Sequence, residues 1–409
     1  MIIWIVNPYG TLPSEGWREY RSSMLARALA SRGHNVTWWI SDFEHRSKSF
    51  RSPSIFFDSL LPKLVKVIGV PCPAYKKNIS FGRIKYEIEF GKKFAILSEF
   101  ESPPHVIVLA DPSLFYSSQV VNYAHSIGAK LVLDVLDLWP EQFQVALPNF
   151  LRPLGRLIFA PLYWRRKRLV RQVDGVVGVT KDHLLAVNPP KNTPNMVAYL
   201  GLDCKKFGED SLKSLPDAIV KFAQDSDLIV VYAGTLGEAY DLATVLQAAQ
   251  RVIRLNERVK FLFAGEGPYS QQVLSLCNAF PDNILFIGKV SSDLLPAIYR
   301  LCHIGICSYS SDSTVTMPVK LYDYLAGGLH VLYSITGEID SLLSQNFCGS
   351  KYEAGRPEEL ANLILSRSNV TVSTESKRNS IFLAESFDER VQHERFVKFI
   401  ENDIDVKKI

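Results

Sequence analysis

Short apolar segments without polar alternation recur between helical segments, and this alternation runs through the chain twice. In the first series, strands are predicted at residues 2–6, 35–40, 106–110, 130–134, 175–180 and 196–200. Helices are predicted at residues 17–31 and 114–126. Strands that are apolar on both sides are typical of parallel sheets that are covered on both faces.

The second series begins after a polar stretch at residues 208–227. Its predicted strands are residues 228–233, 259–264, 284–287, 303–307 and 330–333. The helices predicted beside them are residues 242–254, 270–278, 294–300, 320–326 and 357–366. Two such series predict an α/β fold with two doubly wound, Rossmann-like domains. Ligands are expected at the carboxyl ends of the strands, in a cleft between the domains.

The domain boundaries follow from the same pattern. Residues 1–205 are predicted to form the N-terminal domain, and residues 206–385 the C-terminal domain. We expect residues 386–409 to include a C-terminal helix that crosses back to the N-terminal domain. Residues 43–104 are basic, aromatic and interrupted by prolines, so we interpret them as an insertion on the N-terminal domain.

The cysteine pattern and the apolar segments indicate the cellular location of the protein. The six cysteines are scattered without a C-x-x-C pair, which indicates reduced thiols in a cytosolic protein. The first residues, Ile2–Val6, match a buried strand and not a signal peptide, and no apolar run is long enough to span a membrane. The net charge of +4 is too small to indicate nucleic-acid binding by itself.

The segment from Thr316 to Gly328 combines a proline, a helix and paired glycines, and a strand follows it. Such a helix N-terminus offers unpaired N–H groups and a positive dipole end, which suit a diphosphate. Lys320 would add a cation there, and Asp323 would accept hydrogen bonds from ribose hydroxyls. The alternative is an ordinary capped helix with a surface lysine and aspartate.

Two glycine turns in the same half follow predicted strands. They are Gly234 with Thr235, and Gly265 with Glu266 and Gly267. Each alone is typical of a plain tight turn, but together at the strand ends they favour a ligand site, because glycine lets the backbone approach a ligand closely. In the first half, Asp137, Trp139 and Glu141 follow a strand, where carboxylates and an indole suit sugar hydroxyls and ring faces. The alternative is a strand end with solvated acids.

Residues 152–168 interleave apolar and aromatic side chains with cations and contain no acid. This composition predicts a surface that binds an anionic membrane, helped by the basic and aromatic residues 55–77. A buried helix with a solvated basic end is the alternative, and nucleic acid is disfavoured because no nucleic-acid motif accompanies the patch. Asp225 and Asp227 resemble a metal-binding D-x-D, but we interpret them as solvated acids and predict no metal site.

Taken in order, these segments resemble the family 4 glycosyltransferases with the GT-B fold over nearly the whole chain. They most resemble the branch that builds bacterial O-antigen, capsule and exopolysaccharide repeats. The matching segments are the Gly16 loop with residues 32–34, and residues 137–141, 200–207, 232–234, 265–267, 286–290 and 318–327.

The resemblance implies a retaining transferase in which a nucleoside diphosphate sugar, UDP-linked with an N-acetylated hexose, is the donor. It implies a polyprenyl-diphosphate-linked glycan as acceptor, no metal or other cofactor, and a cytoplasmic location peripheral to the inner membrane. The implied donor residues are Gly16, Gly234, Thr235, Gly265, Glu266, Gly267, Lys289, Val290, Thr316, Pro318, Val319, Lys320, Leu321 and Asp323. The implied acceptor residues are Glu15, Arg18, Asp137, Trp139 and Glu141, and the implied catalytic residues are Lys320, Asp323 and Asp137.

The chain departs from the family pattern at Val315, Thr235 and Tyr240, and the family's catalytic-region histidine has no counterpart near Asp137. Val315 and Asp323 stand where the family often has an acidic pair, and Thr235 and Tyr240 stand where many members have the donor-phosphate arginine and lysine. Lys320 is therefore expected to be the main phosphate cation. Two alternatives remain: a nucleotide-sugar epimerase with this fold, and a non-catalytic sugar-binding protein.

Overall fold

Two separate parallel sheets carry the fold. The computed structural model describes residues 1–19, 21–148, 150–208, 214–368 and 374–404. The chain divides into a first unit, Met1–Leu200 with Arg390–Ile409, and a second unit, Gly201–Glu389. Both units are α/β with a doubly wound sheet, as the sequence predicted.

The elements of the first part of the chain come in the following order. The strands are β1 (Ile2–Val6), β2 (Asn35–Ser41), β3 (Phe43–Glu44), β4 (Ser49–Phe50), β5 (Val65–Val70), β6 (Val106–Asp111), β7 (Lys130–Val135), β8 (Gly175–Gly178) and β9 (Asn195–Val197). The helices are α1 (Arg21–Ser31), α2 (Phe81–Leu97), α3 (Ser117–Ile127), α4 (Glu141–Val145), α5 (Gly155–Ile158), α6 (Ala160–Val170) and α7 (Lys181–Val187).

The elements of the rest of the chain continue the alternation. The strands are β10 (Leu228–Ala233), β11 (Val259–Ala264), β12 (Ile284–Phe286), β13 (Ile304–Cys307), β14 (His330–Tyr333) and β15 (Gly349–Lys351). The helices are α8 (Asp217–Ala223), α9 (Leu242–Leu255), α10 (Ser270–Ala279), α11 (Leu295–Leu301), α12 (Val319–Ala326), α13 (Glu338–Gln345), α14 (Pro357–Ser368), α15 (Thr374–Glu385) and α16 (Glu389–Asn402).

The first sheet has seven parallel strands in the order β5-β2-β1-β6-β7-β8-β9. Its two faces are both covered, because Trp4 packs among the aromatic residues of α2 while Ile3 and Ile5 pack toward α1 and α16. The strand order reverses between β1 and β6. This reversal is the topological switch point, where ligands of doubly wound sheets bind.

The second sheet has six parallel strands in the order β12-β11-β10-β13-β14-β15. Every residue of β10 is buried, as expected for the central strand of a sheet that is covered on both faces. Its switch point lies between β10 and β13.

The prediction that residues 43–104 form an insertion is wrong. Strand β5 pairs with β2 over six residues and forms an edge of the main sheet. Helix α2 contributes Tyr86, Phe90 and Phe94 to the core, each with no exposed surface. The prolines that suggested an insertion lie in the connections, where their fixed geometry does not interrupt a strand or helix. The antiparallel hairpin β3–β4 is an addition to the alternating pattern.

Helix α16 packs on the first sheet. Phe396 and Ile400 are fully buried with Ile5 and Val108 of the strands beneath. A Cβ atom at Gly175 would lie 2.4 Å from Cδ1 of Ile404, so this strand position must stay small for the chain after α16 to approach. The helix therefore covers one face of the first sheet.

We expect Phe396→Ala to lower the free energy of unfolding of the first unit by about 3–5 kcal/mol, because it removes a fully buried ring and leaves a cavity. Chemical denaturation followed by tryptophan fluorescence measures this change. Val391→Ala on the same helix is the control, since Val391 is 46% exposed and should change stability by less than about 0.5 kcal/mol. Equal effects of the two substitutions would contradict the assigned packing of α16.

Candidate functional site

The switch point of the second sheet holds an unusual lysine. Lys320 lies in the first turn of α12, and its Nζ atom is 4.2 Å from the ring centre of Tyr232, 4.8 Å from that of Tyr240 and 5.3 Å from that of Tyr309. Tyr232 lies on β10 and Tyr309 follows β13, so these rings come from the two strands that flank the switch point. We call Lys320 with the three tyrosines the lysine cage.

Within the described part of the chain, no carboxylate forms an ion pair with the ammonium group of Lys320. Nζ is shielded from solvent and has no hydrogen-bond partner among the described residues. Burial lowers the pKa of Lys320 to about 8. The faces of the aromatic rings attract a cation, but they offer no negative charge to balance it. An anion bound here would compensate the cost of burying this charge.

The glycine turns meet at the same edge of the sheet. A Cβ atom at Gly265 would lie 1.8 Å from the carbonyl oxygen of Gly234, and one at Gly267 would lie 2.3 Å from that of Leu236. Both glycines have positive φ angles of 139° and 156°. The Gly265 amide donates to the carbonyl of Gly288 at 2.7 Å, which ties the loop before Lys289 to this edge. Only glycine fits these positions without moving backbone.

The structure thus brings together most of the residues predicted for the donor. Gly234 approaches Lys320 so closely that a Cβ atom there would lie 3.4 Å from Nζ. The side chains of Thr235, Glu266 and Lys289 are exposed on the turns beside it. Gly16 is the exception, because it belongs to the first unit, where it ends the short helical turn Pro13–Glu15.

Helix α12 begins at this edge without a side-chain cap from any described residue, since Pro318 occupies the cap position. Its first N–H groups remain available to an anion. A cavity of about 610 Å³ adjoins the segment that leads into the helix. Hydroxyl side chains line much of it, including Ser310, Thr314 and Thr316, together with Val315. Asp323, one turn along α12, is 8% exposed.

The switch point of the first sheet carries a second polar cluster, which the sequence analysis missed. The Tyr9 hydroxyl, after β1, donates to Glu87 Oε1 at 2.6 Å. Arg83 Nε donates to the Tyr9 hydroxyl at 3.2 Å, and its guanidinium lies 4.6 Å from the Tyr9 ring and 4.1 Å from the Trp139 ring. Burial raises the pKa of Glu87 to about 7, although the Tyr9 hydrogen bond and Arg83 oppose the shift.

Two aspartates border this cluster. Asp111, at the end of β6, is fully buried; Ser113 donates to Oδ1, and Oδ2 has no partner among the described residues. Burial raises the pKa of Asp111 to about 6. Asp137 follows β7 with an exposed side chain; desolvation raises the pKa of its carboxyl, and the charge of Arg83 opposes the shift.

Three of the predicted acceptor residues have structural partners instead. Glu15 forms a nearly buried ion pair with Arg51 at 2.7 Å, and Glu141 forms a bidentate pair with Arg166 at 2.6 and 2.7 Å. Trp139 is only 2% exposed, so it is not the open platform for a sugar ring that the sequence suggested. Arg18 is exposed.

Some cations of the basic segment, residues 152–168, form contacts that stabilise the fold. Arg166 is 5% exposed and binds Glu141, while Arg152 donates to the carbonyl oxygens of Val145 and Leu147. The prediction that Arg166 faces a membrane is therefore wrong. The remaining cations at positions 156, 165, 167 and 168 are exposed, together with Leu157 and Trp164 at 75% and 62%.

The candidate metal ligands do not assemble. No three His, Cys, Asp or Glu side chains come together as a metal site within the described part of the chain. Asp227 of the D-x-D sequence pairs with Arg258 at 2.8 Å. The described helices include none that is both long enough and apolar enough to span a bilayer.

A doubly wound domain with glycine turns and a buried lysine at its switch point defines a class of nucleotide-binding domain. Residues 227–368 match the family model of glycosyl transferases group 1. The second unit therefore carries a glycosyltransferase domain.

Two curated relatives match parts of the chain. Chitobiosyldiphosphodolichol beta-mannosyltransferase of Kluyveromyces lactis is 29% identical over 30% of this chain and 28% of its own length. Alpha-monoglucosyldiacylglycerol synthase of Streptococcus pneumoniae is 23% identical over 57% of this chain and 55% of its own length. The chain thus spans about a quarter and about half of the lengths of these relatives.

The whole chain resembles solved structures in fold. The structure of Alr3699/HepE from Anabaena, determined in complex with UDP, superposes with a TM-score of 0.67 at 12% identity. That match covers 98% of this chain and 99% of the other. The predicted GT-B fold with two Rossmann-like domains is confirmed.

We expect Lys320→Met to weaken UDP binding about tenfold to a hundredfold, because one charge-assisted contact is lost. The same substitution should raise the melting temperature of the ligand-free protein, since it removes an unpaired buried charge. In the unsubstituted protein, UDP affinity should fall as the pH rises through about 8, where the ammonium loses its proton. Calorimetric titration and thermal unfolding measure the three quantities.

Lys221→Met is the matched control, because Lys221 is an exposed lysine of the same unit. It should leave UDP affinity and its pH dependence unchanged. If the two variants bind UDP equally well, Lys320 is not the phosphate cation.

Proposed function

We propose that the protein is a glycosyltransferase that moves a sugar from a UDP-linked donor to a saccharide carried on a polyprenyl diphosphate. The buried, unpaired ammonium of Lys320, set among glycine turns at a switch point, is the observation that carries the donor assignment. The family model match and the UDP-bound fold neighbour support it. The names of the two curated relatives, both acting on lipid-linked or lipid acceptors, support the acceptor class.

The donor residues act by position and charge. Lys320 and the first N–H groups of α12 face the place where the leaving diphosphate accumulates negative charge, and the positive end of the helix dipole adds to them. Because the ammonium is shielded from water, its attraction for a phosphate is stronger than it would be in solvent.

The acceptor residues belong to the first unit in this proposal. Asp137 is the exposed carboxylate at its switch point and would accept a hydrogen bond from an acceptor hydroxyl. The family resemblance implies that the donor phosphate takes the acceptor proton and that the anomeric configuration is retained. No nucleophilic side chain is then required, and positioning supplies much of the rate.

We expect transfer from a UDP-sugar to a polyprenyl-diphosphate-linked saccharide in the presence of a chelator, because Lys320 supplies the charge that a metal would otherwise provide. Chromatography of the lipid product, with a panel of UDP-sugars and with or without manganese, measures it. Asp137→Asn should slow transfer while UDP binding is unchanged.

Other outcomes identify the rival functions. A donor that is converted to its epimer without any acceptor would indicate a nucleotide-sugar epimerase. Tight UDP-sugar binding without turnover would indicate a sugar-binding protein, which the valine at position 315 would permit. A strict need for manganese would contradict the metal-independent mechanism.

The proposed acceptor resides in a membrane, and the exposed part of α5 and α6 suits contact with an anionic inner leaflet. Trp164 and Leu157 present exposed apolar surface, and Arg165, Lys167 and Arg168 surround it with exposed charge. A cation near an anionic surface contributes about 1 kcal/mol, and salt screens this contribution.

We expect the triple change of Arg165, Lys167 and Arg168 to glutamate to abolish sedimentation with anionic vesicles, while turnover of a short soluble acceptor is kept. The control changes Lys191, Lys205 and Lys221 to glutamate, which alters the net charge equally at other exposed positions. Equal loss of binding in both variants would show that overall charge, and not this surface, attracts the protein. Equal binding to neutral vesicles would contradict the electrostatic basis of the contact.

A further inference from the structure

A group of cations at the β3–β4 hairpin and the start of α2 has no role in the function described so far. Lys48, on the hairpin, donates from Nζ to Asn78 Oδ1 at 2.7 Å and lies 4.3 Å from the ring of Tyr75. Arg83, in the first turn of α2, donates from Nη1 to the carbonyl oxygen of Asn78 at 3.2 Å. Two cations from separate segments therefore converge on Asn78. We call Lys48, Arg83 and Asn78 the hairpin cluster.

The hairpin cluster brings two cations together beside few acids. Lys48 forms no ion pair with a carboxylate among the described residues, and Arg83 has Glu87 at 3.8 Å as its ion-pair partner. Burial and the charge of Arg83 both lower the pKa of Lys48, while the charge of Glu44 opposes this shift. Two neighbouring cations with a single acid in ion-pair range among the described residues are stabilised when an anion binds beside them.

The local structure holds the two cations firmly. The Arg83 guanidinium is stacked between the rings of Tyr9 and Trp139, which fixes its plane. Lys48 has a positive φ angle of 58°, a conformation that costs energy for a residue with a side chain. The hairpin cluster is therefore positioned by packing and not by chance contact at a surface.

Exposed apolar side chains lie close to the two cations along the chain. Phe81 is 90% exposed and Ile79 is 48% exposed, and both lie within four residues of Arg83 along the chain. Phe50, at the end of the hairpin, is 60% exposed. A site for a free phosphate would not require exposed apolar side chains. An amphiphile with a charged head and a hydrocarbon tail would contact both the cations and the apolar side chains.

We propose that the hairpin cluster binds the diphosphate of the polyprenyl-linked acceptor, and that Phe50, Ile79 and Phe81 contact its first prenyl units. The lysine supplies a compact charge and the arginine a planar set of donors, which together suit a diphosphate. This inference rests on the proposed function, because it names the part of the first unit that recognises the lipid acceptor. The cluster lies beside the Tyr9, Glu87 and Asp137 group, through their shared contacts with Arg83.

The test measures binding, so that it does not depend on transfer. Phosphatidylcholine vesicles that contain polyprenyl diphosphate, polyprenyl monophosphate or polyprenol are sedimented with the full chain. Binding should be strongest to the diphosphate and absent for polyprenol. Lys48→Met should weaken binding to the diphosphate vesicles about tenfold to a hundredfold, through loss of a charge-assisted contact.

Lys191→Met is the matched control. Lys191 is an exposed lysine of the same unit, and it precedes β9 at the amino end of the parallel strands, opposite the switch point. It should bind the vesicles as well as the unsubstituted protein does. UDP affinity should be unchanged in both variants, which also shows that both are folded.

Three results would overturn the inference. Equal binding of the two lysine variants would exclude Lys48. Equal binding to diphosphate and polyprenol vesicles would show that the headgroup is not recognised. Inorganic pyrophosphate that displaces the protein at concentrations equal to those of the lipid would show a site for a soluble anion. If the vesicle result holds but no sugar is transferred, the proposed function fails while the lipid-diphosphate site stands.

Discussion

An all-parallel sheet must be covered on both faces, and this requirement governs most of the chain. Strands such as β1 and β10 are apolar on both sides, so most connections carry a helix across a face. Polar chemistry is then confined to the ends of the strands. At the carboxyl ends, the two neighbouring connections at a switch point diverge to opposite faces and leave an open crevice between them. In both units, buried ionisable groups with shifted pKa values lie at this crevice.

Both switch points hold buried ionisable groups whose surroundings disfavour the charged form. In the second unit, Lys320 is surrounded by aromatic rings without an acid to pair with it. In the first unit, Glu87 and Asp111 are buried carboxyls whose pKa values are raised to about 7 and about 6. Burying such groups costs stability, and perturbed groups of this kind concentrate where a ligand or a reaction uses them. Elsewhere, buried acids such as Glu15 have a cation at close range.

Much of this could be predicted from sequence, for identifiable reasons. The strands were predictable because they are continuous apolar segments, and the donor glycines because each follows directly after such a segment. Lys320 was predictable because proline marks the start of its helix. The polar cluster of the first unit was not predictable from sequence, because Tyr9, Arg83 and Asp137 come from three distant segments. One of these, α2, lies in the segment that its prolines made look like an insertion.

The acids that misled the sequence analysis show a general limit. Glu15 and Glu141 lie in the connections that follow β1 and β7, where functional carboxylates are common, but their partners Arg51 and Arg166 lie 36 and 25 residues away. No spacing rule connects residues so far apart. Only the fold shows that Glu15 and Glu141 are already paired with arginines. Ionisable groups without such a pairing are therefore better candidates for a functional role.

The departures from the family pattern then take on a physical meaning. Where many members have an arginine and a lysine for the donor phosphates, this chain has Thr235 and Tyr240, and Tyr240 contributes a ring to the lysine cage. Aromatic rings exclude water from the ammonium without neutralising it, so its field is less screened than that of an exposed cation. A single shielded cation can thus do part of what several solvated cations do elsewhere. Under the proposed function, recognition of the diphosphate depends on one side chain and on the packing of three tyrosines around it.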